Sequence, residues 1–140
     1  MRSNVRAIIV AAAVMPVGVL AVWVMPASAA TSVSVGQPTL AAKVLVDVPV
    51  SIICDIGSSS NLNGSVTVTQ ASGKGLHQAT ENFSVGSVNC DGVNPISVTV
   101  QVTGGPFKNG QAVISASGMA FSSSTFQEES FSSGAVVVKL

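Results

Sequence analysis

Tyrosine is absent from the chain, and the single tryptophan, Trp23, lies within its first thirty residues. The remainder therefore lacks the two side chains best suited to stacking on sugar rings, which weakens a carbohydrate-binding reading. Arginine stops at Arg6, and beyond residue 30 four lysines (Lys43, Lys74, Lys108, Lys139) face six carboxylates (Asp47, Asp55, Asp91, Glu81, Glu128, Glu129), for a net charge of −2. Nucleic acid and anionic lipid both demand a basic patch, and nothing of that kind is present. One histidine, His77, is the sole candidate general base, and a lone histidine beside a turn in a serine-rich chain reads as a surface residue. A zinc site needs three or four His, Cys or carboxylate ligands, more than this sequence can assemble once its cysteines are paired. Phosphate-cradling glycine loops are missing too. These absences predict a protein that is not an enzyme and carries no cofactor.

What is present begins with export. Arg2 and Arg6 precede an uncharged apolar run from Ala7 to Val24, and Met25-Pro26-Ala27-Ser28-Ala29 then supplies a break and small residues. That order predicts a secretory signal peptide over 1–29, cut after Ala29 or Ala30, with a domain over 30–140. An uncleaved anchor fits less well, because Pro16 and Gly18 interrupt the run. The expected location is extracellular. No long apolar run follows, so no membrane partner is expected after cleavage.

The exported part is rich in Val, Thr, Ser and Gly, with few helix formers, and the fold class it predicts is all-β. Alternation of period two recurs along it. Ser32 to Val35 reads as a short strand. Val46, Val48, Val50, Ile52 and Cys54 share one parity and form strand B, with Pro49 as a blemish that suggests a split into 40–47 and 50–56. Residues 57–64 read as a Ser/Asn loop and 65–70 as strand C. After a turn at 72–75 a return strand runs to about Val85, and Asp91-Gly92 marks a second turn. Ile96, Val98, Val100 and Val102 make the clearest strand, which would lie antiparallel beside B. Ala112, Ile114 and Ala116 mark another strand, and 135–140 the last. Seven or eight antiparallel strands of this spacing predict an immunoglobulin-like β-sandwich.

Cys54 and Cys90 are the only cysteines, without a CxxC spacing, and in an exported chain they predict one structural disulfide. It would join the end of B to the approach to the 96–103 strand, a different place from the bridge of antibody domains. The segments Val50-Ser51-Ile52-Ile53-Cys54-Asp55, Val66-Thr67-Val68-Thr69-Gln70, Cys90-Asp91-Gly92 and Phe107-Lys108-Asn109-Gly110-Gln111-Ala112 resemble small secreted Ig-like proteins of actinobacteria. The resemblance implies fold and location, and it carries no catalytic residues.

Three places remain where recognition could sit. Asp55 and Asp91 each follow a cysteine, so the bridge would bring two carboxylates to one rim near Asn89 and Asn94. They are weak calcium candidates, or else acceptors within turns. Residues 119–134 hold Phe121, Phe126 and Phe131 five apart, a spacing that fits neither a strand face nor a helix face. Either these rings cap the core from a long hairpin, or a loop displays them as anchors for an extracellular protein or cell-surface partner. The loop 104–110 offers Phe107 and Lys108 for insertion into a pocket, which would suit an inhibitor of a secreted hydrolase. Asn63-Gly64-Ser65 and Asn82-Phe83-Ser84 also fit the glycosylation sequon, two matches that chance alone supplies in a chain this rich in Ser and Asn. A secreted, non-enzymatic binding module is the first expectation, and the hydrolase inhibitor the alternative.

Overall fold

A computed structural model describes residues 31–140, so the expected signal peptide lies outside the described residues. Nine strands follow in chain order: β1 (Ser32–Val35), β2 (Thr39–Ala42), β3 (Leu45–Ile53), β4 (Gly57–Ser72), β5 (Gly75–Cys90), β6 (Ile96–Thr103), β7 (Gln111–Ser122), β8 (Glu128–Ser132) and β9 (Val136–Lys139). All pairings among them are antiparallel. The first sheet has β3 in the middle, β6 on one side and β1 and β2 end to end on the other. The second runs β5-β4-β7, with β8 and β9 sharing the far side of β7. The two sheets form a β-sandwich whose shared core contains Val46, Val48, Val50 and Ile52 from one layer and Leu62, Val66, Val68 and Ile114 from the other.

Alternation fixes the first sheet. Val46, Val48, Val50 and Ile52 bury their side chains, while Asp47, Pro49 and Ser51 take the opposite face. Slipping β3 by one residue would exchange the two sets, so burial locks the register Val46↔Val102, Val48↔Val100, Val50↔Val98 and Ile52↔Ile96. Each valine or isoleucine so buried is worth roughly 1.5–3 kcal/mol. Pro49 does not split the strand. Its carbonyl accepts from Gly36 N (2.8 Å), so its nitrogen, lacking a hydrogen, also faces the side where β1 has ended and β2 has not begun. The ladder to β6 loses nothing there.

In the second sheet the strands are longer than their hydrophobic patterns suggest. Residues 57–64, expected as a loop, are the start of β4. The expectation fails because that stretch is polar and broken by register shifts between Gly57 and Ser60 and between Ser60 and Leu62, which hide its alternation. Leu62 and Ser60 are nevertheless buried, and β7 pairs with the segment from Ser60 onward. The return strand reaches Cys90 rather than Val85.

Gly64 and Gly118 face each other across β4 and β7, flanked in register by Phe83 of β5 and Phe131 of β8. The two rings close over the glycines from either side, centroids 6.5 Å apart. A Cβ on Gly64 would meet Ser117 O and the Phe83 ring, and one on Gly118 would meet Asn63 O and the Phe131 ring, so neither position has room for a side chain.

The disulfide forms between Cys54 and Cys90. Cys54 lies just past β3, and Cys90 ends β5 opposite Gly57, so the bridge ties one layer to the other at a single end of the sandwich. Its sequence separation of 36 residues corresponds to roughly 3–4 kcal/mol of stabilisation in the chain-entropy model.

Candidate functional site

The end that carries the disulfide also carries the β7–β8 turn, residues 123–127, and the turn is braced by hydroxyls. The run Ser122-Ser123-Ser124-Thr125 turns back over the chain that leads from Cys54 into β4. Ser122 Oγ and Ser124 Oγ both donate to Ser58 O, at 2.9 and 2.8 Å. Ser123 donates to Ser59 O from its amide and its hydroxyl, at 3.2 and 3.1 Å. Thr125 Oγ1 donates to Ile56 O at 2.6 Å. Within the turn, Phe126 N donates to Ser122 O and Ser122 N to Gln127 O, both at 2.9 Å. Short hydroxyl side chains suit the task, since they reach a neighbouring carbonyl with one rotatable bond and little entropy to lose.

Phe126 sits at the end of this scaffold with φ of 55° and its side chain 80 % exposed. A non-glycine residue pays roughly 1–2 kcal/mol for that left-handed backbone, and burial of the ring returns none of it here. Strain and exposure together mark a displayed side chain. Nearby on β7, Phe121 and Met119 face outward and are 37 % and 44 % exposed, and Glu128 lies opposite Phe121 in the β7–β8 register. Glu129 points elsewhere: its Oε1 accepts from Thr31 N (3.0 Å) and Thr31 Oγ1 (2.6 Å), which fastens the start of the described chain to β8.

The three phenylalanines thus divide. Phe131 is a core residue, 4 % exposed and packed against Phe83, because β8 turns its side chain toward the other sheet; it is not available as an anchor. Phe121 lies on the outer face and Phe126 stands at the tip.

Loop 104–110 also departs from expectation. Phe107 is buried at 2 % exposure, so it cannot insert into a partner. Gly104 and Gly105, at φ of 146° and 128°, let the chain double back, and Phe107 N donates to Lys43 O at 2.6 Å. Buried Gln70 then clamps the loop, accepting from Lys108 N (2.9 Å) and donating to Lys108 O (2.7 Å). Of the two residues expected to insert, Lys108 alone is exposed. His77 pairs with Gln70 across β4 and β5, at this opposite end of the sandwich from the tip.

The carboxylates at the disulfide rim are brought together in part. Asp55 packs against the backbone of Gly92, where a Cβ would come within 3.0 Å of its Cγ. Asp91 serves its own turn: Oδ1 accepts from Val93 N and Asn94 N, both 2.8 Å, and Oδ2 from Asn94 Nδ2 at 2.5 Å. Hydrogen bonds from Asn94 and Val93 hold its carboxyl below the usual range. Among the described residues no group of three or more His, Cys, Asp or Glu side chains gathers as metal ligands would.

Residue types alone point to none of the braces, Ser122, Ser124, Thr125 and Gln70, because their partners lie 38 to 69 residues away. The one local signal was the unbroken run of four hydroxyl residues. No protein family, curated protein or solved structure matches the chain, which leaves the braced tip and its exposed ring as the features from which a function can be argued.

Proposed function

We propose that this is a secreted, non-enzymatic immunoglobulin-like domain that binds another extracellular macromolecule through the β7–β8 tip, with Phe126 as the anchor. One observation carries the proposal: Phe126 is exposed and held in left-handed backbone on a turn braced by four hydroxyl residues. A turn whose backbone is ordered before association loses less entropy on binding, and aromatic anchors contribute strongly to binding energy at interfaces. Phe121 and Met119 would extend the apolar contact, with Glu128 at its rim.

Supporting the immunoglobulin-like part is the strand order. Lettering β1 and β2 as A, β3 as B, β4 as C, β5 as C′, β6 as E, β7 as F and β8 and β9 as G gives sheets A-B-E and C′-C-F-G. Supporting export is the disulfide, which persists in oxidising compartments. The test is capture of partners from the producing organism's culture supernatant by immobilised wild type and by Phe126→Ser. Wild type is expected to retain a partner that the variant loses, with the melting temperatures of the two proteins alike. Equal retention by both would overturn the proposal.

A further inference from the structure

The outer face of the second sheet carries a feature separate from the tip. Asn63-Gly64-Ser65 on β4 and Asn82-Phe83-Ser84 on β5 pair in register, Asn63 opposite Ser84 and Ser65 opposite Asn82. On the other side of β4, Ser117 lies opposite Ser65 and Gly118 opposite Gly64. These residues line a shallow depression of about 520 Å3, within the range of small-ligand sites. The backbone of Gly64, Phe83 and Gly118, whose side-chain positions face the core, lies beneath it, and the outward residues Asn63, Ser65, Asn82, Ser84 and Ser117 supply two amides and three hydroxyls around it.

The hydrogen-bonding capacity of these five side chains is open. None of them bonds another side chain or backbone group among the described residues, whereas further along the same face Thr67 bonds Thr80 at 2.9 Å and Gln78 donates to Thr69 at 3.0 Å. One end of the face satisfies itself, and the other presents neutral donors and acceptors to solvent. No charged residue lines the depression, which disfavours phosphates, carboxylates and cations. Polar groups on adjacent strands stand roughly 5 Å apart, and next-but-one residues along a strand roughly 7 Å apart. Clustered neutral groups at such spacings match a ligand carrying hydroxyls around a ring.

We infer that the depression formed by the paired Asn-x-Ser segments and Ser117 binds a neutral saccharide of one or two rings. Lack of Trp and Tyr removes stacking as the source of affinity, so binding rests on hydrogen bonds and is weak, on the order of millimolar. The site is independent of the tip.

Titration of the 15N-labelled secreted protein with maltose, cellobiose and mannobiose tests this by amide chemical shifts. At least one sugar is expected to move the amides of residues 63–65, 82–84 and 117–119, saturating in the millimolar range. Asn63→Ala and Asn82→Ala are each expected to weaken it roughly tenfold, the loss of about one hydrogen bond. Ser84→Ala, on the edge strand β5, is a milder variant, and a native-like spectrum without sugar certifies that each one folds. Phe126→Ala should leave the titration unchanged, so failure of the tip proposal would not mimic failure here. No response to any of the three sugars overturns the inference. Shifts elsewhere, or shifts insensitive to all three trough substitutions, overturn it as well.

Discussion

Two turns of this protein, at opposite ends of the sandwich, each carry a phenylalanine and treat it in opposite ways. Loop 104–110 draws Phe107 into the core, and turn 123–127 expels Phe126 into solvent. Both are pinned by side-chain hydrogen bonds to distant strands, so order alone does not separate them. The difference lies in which backbone the pins hold. At 104–110, Gln70 grips Lys108, the residue after the ring, while Phe107 N is bound to Lys43 O, and the ring is left facing inward. At 123–127 the hydroxyls hold the residues before the ring, and Phe126 itself takes the left-handed conformation that turns it out. A buried ring contributes to stability. An exposed ring on an equally ordered turn is expected to add little to it, and the proposed binding role rests on that difference.

The largest expected effect follows from that contrast. Phe107→Ala should destabilise the domain by about 3–5 kcal/mol, as truncation of a buried ring does, and Phe126→Ala by no more than about 0.5 kcal/mol. Chemical denaturation of the two variants reads both numbers. Similar losses would erase the distinction between the turns.

Gln70→Ala sharpens it next. The substitution leaves the amide and carbonyl of Lys108 without their partner at a site where Gln70 is 2 % exposed. A loss of about 2–3 kcal/mol is expected, together with faster amide hydrogen exchange at Lys108 and no change in exchange at residues 123–127. Faster exchange at both ends would mean that the two turns are coupled rather than independent.

How much of this could be read from residues in order differs between the two sheets. Strands β3 and β6 announce themselves because Val46 to Ile52 and Ile96 to Val102 each keep one apolar parity, although Pro49 suggests a split of β3 that does not occur, and their pairing and the disulfide follow. The beginning of β4 is hidden because its exposed positions are Ser and Asn, as in a loop, and its bulges shift the parity. The spacing of five in Phe121, Phe126 and Phe131 is unreadable for a related reason. A turn falls between the first and last, so the three belong to a strand's outer face, a tip and another strand's inner face. Periodicity holds within an element and carries no information across its end. Contacts such as Thr125 to Ile56 or Gln70 to Lys108 depend on the assembled topology, which no local pattern contains.

Phe126→Gly probes the strain directly and is expected to act in the opposite direction from most substitutions. Glycine adopts φ of 55° without steric cost, so removing roughly 1–2 kcal/mol of backbone strain, less the entropy that glycine adds to the unfolded chain, should raise stability by up to about 1 kcal/mol. A more stable variant that no longer retains the partner would identify the strain as the cost of display. Destabilisation beyond that of Phe126→Ala would place the ring in a supporting role.

The smallest effect belongs to a third turn, 91–95, which is held by a side chain of its own and so serves as the local control. Val93 N and Asn94 N bond Asp91 Oδ1, and its carboxyl is held below the ordinary value of 3.8 by Asn94 first and Val93 second. Because the folded-state value is depressed, the stabilisation is fully present above the ordinary carboxylate range and is lost as pH falls through the folded value. The carboxylate is fully exposed, so the contribution is expected to be smaller than any above. Asp91→Asn keeps an oxygen acceptor for the two amides but removes the charge, and it should melt slightly lower than wild type near neutral pH. That gap should close in acid, below about pH 4. A gap that stays constant with pH would assign the turn's strength to its geometry alone. It would then resemble the hydroxyl-braced tip, which is held without any ionised group.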